Sequence, residues 1–62
     1  MADAPGYLIE YTRVGVQVRV AACDPESGLE AVVMVPANMS QKDMAQVAIR
    51  KLQYIKDKKP SS

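Results

Sequence analysis

Two β-branched runs, Val16–Val20 and Leu29–Val35, flank Asp24-Pro25-Glu26-Ser27-Gly28, and this stretch constrains the chain more than any other. Pro25 presets φ at the first turn position, Asp24 caps the turn through its side chain, and Gly28 supplies a positive φ. A loop of Pro25 to Gly28 sets Asp24 against Leu29, then Ala22 against Ala31, Val20 against Val33, and Val18 against Val35. Side chains alternate between faces along a strand, so this register collects a wholly apolar set on one face. A slip of one residue brings Glu30 opposite Ala22 in the core, which the patterning forbids.

The remaining elements follow from this hairpin. Tyr7 to Arg13 is aromatic and β-branched and reads as a first strand. Val14-Gly15 is expected as its two-residue turn, pairing Arg13 with Val16, Tyr11 with Val18, Ile9 with Val20 and Tyr7 with Ala22. The inner face then carries Tyr7, Ile9 and Tyr11. Beyond the third strand, Pro36-Ala37-Asn38-Met39 breaks the pattern, because proline has no N–H for a ladder. Ser40 reads as a helix N-cap with Asp43 three residues on. From Gln41 the period is helical: Met44, Ala45, Ala48, Leu52 and Ile55 fall on one arc, and Lys42, Gln46, Arg50, Gln53 and Asp57 on the opposite side. Sixteen such residues span ~24 Å, matched to strands of ~20–23 Å. The expected fold is α+β, a three-stranded antiparallel β-meander in the order 1-2-3 with one C-terminal α-helix packed on one face. Residues 7–57 form the single domain, 1–6 a flexible lead-in and 58–62 a disordered tail.

A chain of 62 residues buries only ~60% of its unfolded surface, so a domain of this size commonly draws on disulfides, a metal or a partner chain. Cys23 is the only cysteine and there is no histidine. An intrachain disulfide and a zinc site are therefore excluded. Without histidine no side chain has an unperturbed pKa near neutrality. No paired carboxylates, phosphate-cradling glycine loop or base-activated nucleophile is visible. The expectation is a non-enzyme with no catalytic, cofactor-binding or metal-binding residues. Met1 to Gly6 does not read as a secretory signal, and no apolar run approaches the ~20 residues of a membrane span. Together with the lone cysteine, this points to a cytoplasmic protein.

Two surfaces remain as candidates for function. The expected registers place Leu8, Ala21 and Val32 in one row across the sheet face away from the helix, beside a row of Glu10, Arg19 and Met34. That face has no second layer, and a contiguous apolar patch marks an interaction surface. The expected function is a small protein-interaction module with an unidentified protein partner or a homodimer, associating through this open face or through a strand edge. The second surface follows from charge. Residues 1–35 carry a balance of −3, whereas residues 36–62 carry +4. Arg50, Lys51, Lys56, Lys58 and Lys59 on or after the helix could contact phosphates, which makes a nucleic-acid-binding accessory protein the alternative. These residues do not form one stripe or interleave with exposed aromatics, so the alternative ranks second.

The matching residues Val16 to Val20, Asp24-Pro25-Glu26-Ser27-Gly28, Leu29 to Pro36, and Ala48-Ile49-Arg50-Lys51-Leu52-Gln53-Tyr54 carry a resemblance. Over Tyr7 to Ile55 the chain resembles a family of short uncharacterised proteins of alphaproteobacterial type, with a valine-rich strand, an Asp-Pro-x-x-Gly turn and a closing helix. The resemblance implies the same fold. It implies no activity, cofactor or site residue.

Overall fold

The hairpin closed by Asp24 forms as its turn chemistry dictates. In the computed structural model, which describes residues 6–58, the strands are β1 (Leu8–Val14), β2 (Gln17–Cys23) and β3 (Glu30–Pro36), followed by the helix α1 (Gln41–Lys58). The sheet is antiparallel in the order β1-β2-β3. The β2–β3 register pairs Val18 with Val35, Val20 with Val33 and Ala22 with Ala31, as expected. Asp24 N–H donates to the Leu29 carbonyl at 2.9 Å, and Gly28 N–H to the Asp24 carbonyl at 2.8 Å. Gly28 has φ +78°.

The first hairpin departs from expectation. Its turn is Gly15-Val16, not Val14-Gly15, so Val14 pairs with Gln17, Tyr11 with Val20 and Ile9 with Ala22. Each residue of β1 is thereby shifted two places along β2 from the expected partner. The cause lies in the turn backbone. Both primed hairpin turns require positive φ at their first central residue, and valine resists positive φ. Gly15 takes that position with φ +64°, while Val16 keeps a negative φ, which is the type II′ pattern. Because the shift is two residues, the faces are unchanged. Tyr7 and Ile9 still pack with Val18, Val20, Ala22, Ala31 and Val35 on the helix side.

α1 begins at its cap: Asp43 N–H donates to Ser40 Oγ at 3.2 Å, and Met44 N–H to the Ser40 carbonyl at 2.9 Å. Met44, Ala45, Ala48 and Leu52 are its buried residues, and Leu52 and Val20 are the largest fully buried side chains. The helix extends to Lys58, one residue beyond the expected domain end and into the expected tail. Residues 1–5 of the expected lead-in, and the tail after Lys58, lie outside the described residues.

The helix is not centred on the sheet. It packs mainly over β2 and β3, and reaches β1 through Ile9, which packs against the core, and through Tyr11, whose hydroxyl donates to the Gln41 carbonyl at 3.5 Å. Of the seven residues of β1, Ile9 alone is half-buried and the rest are exposed.

Candidate functional site

Backbone direction decides what each sheet edge offers. Residues closing a two-residue hairpin face each other with both N–H and C=O. Val14 therefore points its backbone groups at Gln17, and alternation carries this through Thr12, Glu10 and Leu8. The Asp24–Leu29 bond agrees, since it turns the even positions of β2 toward β3 and leaves the odd positions for β1. Ile9, Tyr11 and Arg13 thus direct their N–H and C=O groups away from the sheet. Among the described residues no proline, bulge or helix covers these backbone groups, which is the usual condition for pairing with another strand.

The opposite edge is partly blocked. On β3 the outward positions are Glu30, Val32, Met34 and Pro36. Lys51 Nζ donates to the Val32 carbonyl at 3.0 Å, and Pro36 has no N–H to offer. A lysine and a proline at an edge are recognised means of blocking strand addition.

The open sheet face carries all six expected residues, in altered rows. Glu10 lies opposite Ala21, which lies opposite Val32; Thr12, Arg19 and Met34 form the next row; and Leu8 lies opposite Cys23, not Ala21. The expected cross-strand Glu10–Arg19 pair becomes diagonal, and it makes no ion pair. Leu8 and Met34 are 62% and 46% exposed, but Ala21 is buried and Val32 half-buried. The apolar surface is therefore split, with Leu8 at the β1 side and Met34 at the β3 side.

The basic residues are dispersed. Lys51 reaches the β3 edge and Lys56 the Asp24 turn, while Lys58 lies over the Tyr54 ring, 5.6 Å from its centroid. Arg50 stands with Lys42 along a helix-side groove of ≈ 260 Å³. Lys59 lies outside the described residues.

One cluster was not anticipated. Asp24 Oδ2 accepts from Lys56 Nζ at 2.8 Å, while its Oδ1 accepts from Glu26 N–H at 3.0 Å. Lys56 Nζ also donates to Tyr7 Oη at 3.3 Å and lies 5.3 Å from the Tyr7 ring centroid. The signal was present in the sequence: Asp24 continues the helix-facing parity of Val18, Val20 and Ala22, and a buried carboxylate calls for a partner. The Lys56 hydrogen bond holds the Asp24 carboxyl below its ordinary pKa against opposing burial, with the Glu26 N–H assisting. Asp24, then Tyr7, raise the Lys56 ammonium above its own. The neighbouring hollow of ≈ 300 Å³ has its cation committed to Asp24, so the cluster ties the turn to the helix.

A three-stranded meander closed by one helix, with one open and one partly blocked edge, defines a small α+β domain. The chain belongs to the family described as Domain of unknown function (DUF6898), which it matches over residues 4–59. No curated protein and no solved structure matches it. No helix among the described residues is long and apolar enough to cross a membrane.

Proposed function

We propose that this chain is a non-catalytic protein-interaction module that binds by strand addition along β1. The observation that carries this reading is the asymmetry of the edges: among the described residues the backbone groups of Ile9, Tyr11 and Arg13 are left unspent, whereas on β3 Lys51 occupies the Val32 carbonyl and Pro36 has no N–H. Main-chain bonding supplies affinity in such recognition, and alternate side chains supply specificity. The absence of histidine from the sequence, and the mutual neutralisation of Asp24 and Lys56, support a binding role over acid–base chemistry. The setting is a bacterial cytoplasm, where Cys23 stays a free thiol.

Hydrogen exchange resolved by residue tests the reading. The Glu10 and Thr12 amides, bonded to β2, exchange slowly under all conditions. Those of Ile9, Tyr11 and Arg13 slow only when a partner strand is present. If these three exchange freely at every protein concentration and with every added cellular protein fraction, β1 is not a binding edge.

A further inference from the structure

We infer that the partner of β1 is β1 of a second copy of this chain, paired antiparallel about a twofold axis at Tyr11 to give a six-stranded sheet. This rests on the reading of β1 as a binding edge, and adds the occupant and the register. A twofold axis perpendicular to the sheet keeps each residue on its own face, so only registers pairing residues of like parity are open to a symmetric dimer.

Charge and the length of strand paired select among them. With Tyr11 opposite its own copy, all seven residues of Leu8–Val14 are paired. Ile9 then meets Arg13 and Glu10 meets Thr12, while Leu8 meets Val14. Both members of that last pair are strongly exposed in the single chain, at 62% and 49%. Moving the axis one position toward the N-terminus sets Glu10 against Glu10, a directly opposed like-charge pair and therefore destabilising. Moving it one position the other way takes Leu8 and Ile9 beyond the paired strand and leaves Glu10 facing Val14. Two positions that way, Arg13 faces Arg13. The Tyr11-centred register avoids these conflicts. It also uses every outward group of β1: Tyr11 exchanges two N–H···O=C bonds with its copy, and each Ile9 exchanges two with an Arg13 of the other chain.

The partly blocked edge favours a second copy over an unrelated strand. Each chain has one open edge, so pairing like with like consumes both and leaves only the two β3 edges outside. The assembly closes at two. It also doubles the sheet of a domain whose own size limits its core.

Sedimentation equilibrium on the full chain, from micromolar to millimolar, tests this with four proteins. The natural chain is expected to dimerise. Leu8→Lys removes both Leu8–Val14 contacts and raises the dimer dissociation constant about tenfold, at the scale of two cross-strand pairs. L8K/V14E restores dimerisation, because each new lysine faces a new glutamate. Within one chain these positions stand six residues apart on a strand, ~20 Å, so the rescue is intermolecular. Tyr11→Pro deletes an N–H that bonds nothing within the monomer, and is expected to give a folded monomer by circular dichroism. Should Tyr11→Pro unfold, the rescue pair decides. Dimerisation of a folded Tyr11→Pro protein, or failure of L8K/V14E to recover, overturns the register. A natural chain that stays monomeric at millimolar concentration overturns self-pairing. Protection of the Ile9, Tyr11 and Arg13 amides by some other protein would then keep the binding edge and discard only the second copy.

Discussion

Asp24 shows how much one side chain carries in a chain this short. Its backbone closes the β2–β3 loop, one carboxylate oxygen fixes the turn and the other receives Lys56. Its lowered pKa means that the folded state binds its proton less readily than the unfolded chain does. The resulting stability is complete above the ordinary carboxylate range and is lost as pH falls through the folded value. Lys56 runs the other way: its contribution is present below the ordinary lysine range and is lost as pH rises through the raised value. Asp24→Asn keeps an oxygen for Glu26 N–H but abolishes the charge. Its melting temperature should fall below that of the natural chain at neutral pH, and the gap should close in strong acid. Thermal melts by circular dichroism across pH measure this. A gap independent of pH would mean that the charge itself contributes nothing.

At the scale of elements, the two hairpins were unequally legible. For β2 and β3 the turn residues and the apolar pattern point to one register, because a one-residue slip buries Glu30. For β1 and β2 the two candidate registers differ by two residues and leave every side chain on the same face, so patterning cannot separate them. Only the demand for positive φ at the first turn position decides, and it selects Gly15. Helix patterning read well for a comparable reason: the apolar arc from Met44 to Leu52 admits one buried face, and Leu52 is fully buried there. Leu52→Ala should cost ~2–5 kcal/mol, much of the total stability of so small a domain. Urea titration should find the variant largely unfolded at room temperature. A midpoint near that of the natural chain would show that the core closes over the gap.

At the scale of the whole molecule, the edges were the least legible feature. Which edge is open depends on where the helix rests and which lysine reaches a carbonyl, and periodicity sets only which face of the helix is buried. Leu8, Glu10, Arg19, Ala21, Val32 and Met34 all share the sheet face away from the helix, as the alternation of side chains requires. The expected rows were wrong, because the β1 register was wrong. Lys51, outside the buried arc, spans from α1 to the Val32 carbonyl, and that reach follows from the lateral offset of the helix toward β3.

The Lys51–Val32 bond has a consequence best put in the terms of polymer chemistry. A monomer with a single reactive end stops growth at the first coupling, and on the proposed pairing Lys51 and Pro36 hold this chain to valence one. K51A/P36T frees the carbonyl and returns an N–H, which raises the valence to two. Coupling then alternates β1 to β1 and β3 to β3, and no end is capped. Such a protein should give a ladder of even-numbered species that lengthens with concentration, read as rising light scattering, where the natural chain gives one species. If K51A/P36T remains a single small species, the β3 edge is closed by something other than these two residues. On the proposed pairing, one ammonium group and one missing N–H separate a domain that terminates its own assembly from a step-growth monomer.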